Sequence, residues 1–234
     1  MDREQVFSVI QILASYIVPT LKVFVFTLLF SVPLGIVTAL LKKCRFKPIA
    51  WLVNLYILIM RGTPLMLQII AIYYAVPYLK LIEGLPGFVK KFAELIDIRD
   101  SSYMFNALIT AFVLNYAAYF AEIFRGGIES IPKGQYEAAE MLGFTPVQTF
   151  FRIILPQVFK RVVPASANEV ITLIKDTSLA NVISYEEVTL KARQQMQVYS
   201  SLVPLFIAGA FYLIMTVVLT LLFSALEKKL DYYK

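Results

Sequence analysis

Five stretches of this chain approach the length and apolarity needed to cross a bilayer, and basic residues collect in the gaps between them. A hydrocarbon core about 30 Å thick takes roughly 20 helical residues. Residues 23–41 are an uncharged run of that length, closed by Lys42, Lys43, Arg45 and Lys47. Residues 48–79 form a second apolar block, interrupted at Arg61, Gly62, Thr63 and Pro64. Residues 103–121 are a third uncharged run, and 153–174 a weaker fourth that carries Lys160, Arg161 and Glu169. Residues 201–226 are a clean fifth, ended by Glu227, Lys228 and Lys229. In lipid, only a helix satisfies its backbone groups segment by segment. The pattern therefore predicts an all-α integral membrane protein with about five transmembrane helices, at about 18–41, 49–79, 103–124, 153–174 and 201–226. Residues 1–234 read as a single membrane domain, because no polar stretch is long enough for a second folded unit.

Composition agrees. Hydrophobic residues make up 59% of the chain and charged residues 16%, too little polarity to cover a soluble domain of this size. The net charge of +6 does not signal nucleic acid, since the basic residues flank apolar runs and report topology instead. With the Lys42–Lys47 gap placed in the cytoplasm, residues 125–161 and the C-terminal tail follow it there. Those segments hold more than half of all Lys and Arg. The expected orientation is N-terminus out and C-terminus in. The mixed charges of Asp2, Arg3 and Glu4 predict a short interfacial helix ahead of the first span, not a cleavable signal. The chain has no histidine and one cysteine, Cys44. That removes Ser–His and Cys–His catalysis, an internal disulfide and the usual zinc sites. No catalytic residue and no metal site is expected.

Two segments are not plain membrane anchors. Between the third and fourth runs, helix formers extend from Gln135 to Leu142, with Pro132 before them and Gly143 and Pro146 after. This predicts a short amphipathic helix on the cytoplasmic side, within about 129–146. Lys175, Asp176, Thr177 and Ser178 follow the fourth run and are too polar to face lipid. Such backbone is tolerated only inside protein or along a water-filled cavity.

From Glu137 the chain reads Glu-Ala-Ala, three residues, Gly143, nine residues, Ile153, one residue, then Leu155 and Pro156. This resembles the EAA signature of the permease subunits of ABC importers. Further stretches are similar to the polar amino acid branch of that family: Arg61-Gly62-Thr63-Pro64-Leu65, Glu122-Ile123-Phe124-Arg125-Gly126-Gly127-Ile128, Ser130-Ile131-Pro132-Lys133-Gly134-Gln135 and Lys175-Asp176-Thr177-Ser178-Leu179. The resemblance implies a multi-pass protein of the prokaryotic cytoplasmic membrane that supplies the path for an amino acid while a partner hydrolyses ATP. Its implied partners are two cytoplasmic ABC ATPase subunits, a second permease subunit, expected as a homodimer, and an extracytoplasmic solute-binding protein, besides the amino acid substrate and membrane lipid. The sequence lacks a Gly-x-x-x-x-Gly-Lys-Ser/Thr phosphate loop, so ATP and Mg belong to the ATPase. The resemblance also makes the EAA segment a coupling helix that docks on the ATPase, with Gln135, Glu137, Ala138, Ala139, Glu140 and Gly143 as its coupling residues. Ala138 and Ala139 are small enough for close approach, Glu137 and Glu140 can meet basic side chains, and Gly143 suits a sharp turn.

Charges within a bilayer are costly and face a cavity or a partner. Arg61, Glu122, Glu169 and Lys175 are the informative ones. Asn115, Tyr119 and Glu122 share one helix face at i, i+4 and i+7. Asn168 or Glu169, then Thr172, continue such a stripe on the fourth span. Around the helix break allowed by Gly62 and Pro64, Arg61, Thr63, Met66 and Gln68 complete the set of candidate substrate contacts. Glu122 has an alternative partner in Arg125, and Arg61 in Glu122. Glu169 has no obvious local partner, which favours a basic amino acid such as arginine, lysine or histidine. The family implied by the resemblance also carries glutamine, glutamate and cystine. A secondary transporter would instead need its own coupling-ion site and usually an inverted repeat, and no repeat is visible between the halves.

Overall fold

The computed structural model describes residues 1–230. The final residues, 231–234, which belong to the C-terminal tail used for the orientation above, lie outside the described residues. Eleven α-helices, a short π-helical turn and a 3₁₀ segment are found there, with no strand among the described residues. The helices are α1 (Arg3–Ser15), α2 (Ile17–Lys42), α3 (Lys47–Gly62), α4 (Leu65–Leu81), α5 (Gly87–Leu95), α6 (Tyr103–Glu129), α7 (Lys133–Met141), α8 (Pro146–Thr149), α9 (Leu155–Asp176), α10 (Val188–Tyr199) and α11 (Val203–Leu230). The π-helical turn Phe150–Ile154 joins α8 to α9, and the 3₁₀ segment Thr177–Ile183 follows α9.

Helix α6 is the axis of the molecule. Its Leu108, Phe112, Tyr116 and Phe120 are buried among Val23 and Phe24 of α2, Ile69 of α4 and Val170, Leu173 and Ile174 of α9. Its tightest partner is α2, which runs parallel to it. Thr27, Ser31, Gly35 and Thr38 are buried at spacings of four, four and three, one face of a helix. Between apolar helices in lipid, small residues let backbones approach. Thr27 and Thr38 donate their hydroxyls to the carbonyls of Val23 and Leu34 in their own helix, while the buried Ser31 hydroxyl between them has no hydrogen-bond partner. At Gly35 the approach is closest: a Cβ there would lie 2.7 Å from Phe120 Cβ and 3.1 Å from the Ala117 carbonyl.

The apolar runs at 18–41 and 103–124 fall within α2 and α6, and that at 201–226 begins two residues before α11. Among the described residues, three helical stretches are long and apolar enough to cross a membrane: Arg3–Lys42, Tyr103–Glu129 and Val203–Leu230. A fourth is reached if α3 and α4, which meet at 112°, count as one broken span. The expected fourth span, 153–174, lies almost wholly in α9, which does not join that set. Its Lys160, Arg161, Glu169, Lys175 and Asp176 put charge on one side, while Val158, Val162, Ala167, Leu173 and Ile174 on the other side are buried. It is an amphipathic helix held against α6 and α11. Of the polar segment at its end, Thr177 is fully buried and Asp176 and Ser178 are partly so, while Lys175 is exposed. The leading helix α1 is capped by Asp2, which accepts from Gln5 N at 2.8 Å. Its Val9 and Leu13 are buried beside Val188, Ala192 and Ala208.

Gly35→Val is expected to destabilise the chain by about 1–3 kcal/mol, the usual cost of overpacking. Gly209→Val serves as control, since nothing lies within 4 Å of a Cβ there. Thermal unfolding in detergent should show a lowered midpoint for the first and an unchanged one for the second.

Candidate translocation path and coupling surface

The break between α3 and α4 lies opposite the middle of α6. Pro64 has no N–H to give, and Thr63 before it is driven to extended backbone, φ −122° and ψ 149°. Carbonyls at the end of α3 thus lose their helical partners. Two buried amides replace them. Gln68 Nε2 donates to the carbonyls of Met60 at 3.0 Å and Thr63 at 3.2 Å, and to Thr63 Oγ1 at 2.8 Å. Asn115 Nδ2 donates to the Met60 carbonyl at 2.9 Å and to Gln68 Oε1 at 3.0 Å. Gln68 and Asn115, expected among the substrate contacts, are here committed to backbone and to each other.

The break leaves Arg61, Thr63 and Met66 exposed. The Arg61 guanidinium lies 5.2 Å from the centre of the Tyr119 ring and its Nη1 is 4.0 Å from Glu122 Oε2. Asn168 and Thr172 are exposed beside the half-buried Glu169. Tyr119, Glu122 and Arg61 are therefore brought together, with Gln68 and Asn115 forming the wall behind them, while Glu169 makes no ion pair with Arg61. Tyr116, next to Asn115, donates to Asp176 Oδ2 at 2.7 Å and fixes the end of α9.

Glu122 is the hub of an ion network. Its Oε1 accepts from Lys42 of α2, and its Oε2 accepts from Arg125 Nε at 3.0 Å and Nη2 at 2.7 Å. Arg125 also donates to Glu129, which Lys43 approaches at 3.5 Å. Lys42, Arg61 and Glu122 line a cavity of about 380 Å³ with Asn54, Ile57 and Leu58. Sequence spacing exposes the Glu122–Arg125 pair, but not Lys42, eighty positions away.

At the end of the molecule beyond Glu129, α7 occupies the region expected for the coupling helix. Gly143 follows it at φ +76°, left-handed backbone that an L side chain adopts only with strain. Its N–H donates to the Glu140 carbonyl and that of Phe144 to Ala139, closing the helix end. Glu137, Ala138 and Glu140 are exposed, but Ala139 is buried against the chain itself. Gln135 accepts from Gln157 of α9 at 3.1 Å, tying the helix to the bundle. The outward apolar surface comes from Met141, 88% exposed, and Leu142, 75% exposed. Neither stood out in the sequence, although both directly precede the turn glycine.

A further polar knot had no sequence signal beyond an acid before a helical run. Glu187 is fully buried and accepts from Thr189 N at 2.7 Å, Leu190 N at 2.8 Å and Tyr212 OH at 2.8 Å. Burial pushes its carboxyl upward, against the pull of these donors. It caps α10 and joins it to α11.

A polar break at the centre of a helical bundle, an ion hub beside it and an exposed short helix at one end define a membrane transport subunit moved by a partner. The comparisons with known proteins give the family: residues 31–232 match the model of binding-protein-dependent transport system inner membrane components, and the chain belongs to that family. It is 39% identical over 212 residues to the arginine transport system permease protein ArtQ of Bacillus subtilis, covering 90% of this chain and 89% of that one. It is 34% identical over 224 residues to the L-cystine transport system permease protein TcyB of the same organism, covering 95% and 88%. A chain in the crystal structure of an amino acid ABC transporter with histidines superposes with a TM-score of 0.82 at 30% identity, covering 98% of this chain and 99% of that one. The protein is thus a multi-pass inner-membrane permease of the type I ABC importers, in the polar amino acid branch. It is a transport component whose ATPase is a separate subunit.

Met141→Asp is expected to abolish co-purification of the ATPase and transport. The unfolding midpoint of the permease should stay within about 0.5 kcal/mol equivalent, as for other exposed positions. Pull-down and thermal unfolding of the same preparation check both.

Proposed function

We propose that this permease imports a basic amino acid, working as a homodimer with two ATPase subunits and an extracytoplasmic binding protein. The observation that carries the substrate class is the half-buried Glu169 on α9, together with Arg61 exposed at the break between α3 and α4. An amino acid offers a carboxylate to the guanidinium and a cationic group to Glu169. No cation comes within ion-pairing distance of Glu169 among the described residues, so a cationic solute would supply the missing close partner. Tyr119 adds a ring face suited to a guanidinium or ammonium. The likeness to an arginine permease supports the same reading, while the relative named for cystine marks the competing one.

In this reading Asn168, Thr172, Thr63 and Met66 flank the solute, and Gln68 and Asn115 hold the broken helix that aims Arg61. The end bearing α7 faces the cytoplasm, with the N-terminus outside and the C-terminus inside. The residues around α7, Gln135 through Gly143, receive ATPase closure. Because α7 is fixed to α9 through Gln135 and Gln157, and α9 carries Glu169, a push on α7 reaches the solute site through one helix. ATP and Mg stay with the partner.

The test replaces Glu169 with Gln in the reconstituted complex and measures uptake and substrate-stimulated ATP hydrolysis for arginine against glutamine. The preference for arginine is expected to fall by about tenfold or more, equivalent to about 1.4 kcal/mol. An unchanged preference, or a wild-type preference for glutamine or cystine, would sink the assignment.

A further inference from the structure

A second cavity, of about 640 Å³, opens between α4, α5 and α6. Neither Arg61, Tyr119, Glu122 nor Glu169 lines it, so it is separate from the path. One part of its wall is apolar, formed by Ile72, Val76 and Leu79 of α4 and Ala107 of α6. The other end carries Asp97, Asp100 and Ser102. Along α6 it runs from Ser102 to Thr110, a rise of roughly 12 Å at 1.5 Å per residue. It therefore begins where the membrane-spanning helix begins and descends along its first two turns.

Helix α5 closes this crevice with Phe92 and Leu95. Ala93 on its inner face is fully buried. Phe88, Phe92 and Leu95 recur at i, i+4 and i+7 and are 77%, 61% and 79% exposed. Lys90, Lys91 and Glu94 are exposed on the remaining face. A helix apolar on one side and charged on the other suits the interface of a bilayer.

We propose that the crevice is a lipid site, which takes one acyl chain of a phospholipid whose headgroup carries an ammonium, of the phosphatidylethanolamine class. The charges at the open end select that headgroup. Asp100 Oδ1 accepts from Ser102 N and Oγ, both at 2.7 Å, and these bonds hold its carboxyl below the usual range. Asp97 Oδ1 accepts from Arg99 N at 2.9 Å. Two carboxylates so placed attract an ammonium, and the exposed Arg99 between them leaves the opening near neutral once Lys80 is counted, which suits a headgroup without net charge. Lys80 donates to the Ile96 carbonyl at 2.7 Å, at the rim of the same cavity, and puts a cation within reach of the lipid phosphate. An apolar trough of partial bilayer depth, leading to an opening of mixed charge, matches a zwitterionic lipid from tail to head.

The permease–ATPase complex, reconstituted in nanodiscs holding equal phosphatidylethanolamine and phosphatidylglycerol, is released gently and its retained lipids are counted by native mass spectrometry. The wild type is expected to keep phosphatidylethanolamine in preference. Ala75→Phe, which fills the crevice from an exposed position, should cut that retention by about tenfold. Asp97→Asn combined with Asp100→Asn should leave the two headgroups equally retained. Thermal unfolding confirms that each variant is folded. Equal retention of both headgroups by the wild type, or undiminished retention in Ala75→Phe, would overturn the site. So would disulfide cross-linking of two copies through Ala75→Cys, because a second chain would then occupy the crevice.

Discussion

Everything at the centre of this molecule depends on how it satisfies the backbone carbonyls released at Thr63 and Pro64. In hydrocarbon an unpaired carbonyl costs several kcal/mol, so a helix can break at mid-bilayer only if other groups replace the lost bonds. Gln68 and Asn115 supply them from two different helices, and each also bonds the other. The pair thereby does two things at once: it makes the break tolerable, and it pins α3 and α4 to the middle of α6. The 112° bend between α3 and α4 and the exposure of Arg61 go with that attachment.

The second organising element is the Glu122 network. It gathers the end of α2, the end of α3 and the third quarter of α6 around one carboxylate. A carboxylate shared by three cations has alternatives, and Arg61, at 4.0 Å, is the loosest of them. Arg61 therefore stands at the edge of a tight structural cluster, loosely held, and faces the proposed solute site. Tyr119 supports its guanidinium from below, which limits where it can travel.

Membrane residence and the break were legible in the sequence because both are local. Hydrophobic run length predicts α2, α6 and α11, and Gly62 with Pro64 predicts the interruption. The placement of α7 and the turn at Gly143 are local for the same reason. What distant chain segments decide was not legible. Asn115, Tyr119 and Glu122 do share a helix face, yet Asn115 turns to the Met60 carbonyl while Tyr119 meets Arg61. Ala139 and Ala138 look alike in sequence, but only one faces outward. Glu187 gives no hint of burial, since its partner Tyr212 belongs to another helix.

The π-helical turn at Phe150–Ile154 has a bearing on how motion crosses the molecule. A π turn accommodates one residue more than the α-helix it interrupts, so the segment before it and the helix carrying Glu169 keep their phase despite the extra residue. Removing one residue from the turn would return it to ordinary helix with that phase nearly kept, whereas removing one from the regular part of α9 before Glu169 would rotate the two sides by roughly 100°, the angle per residue of an α-helix. In the second case the chemistry at both ends would survive intact, while the phase relating them would be lost. The angular setting of this shaft is thus written in the count of residues along its regular helix and in no single side chain.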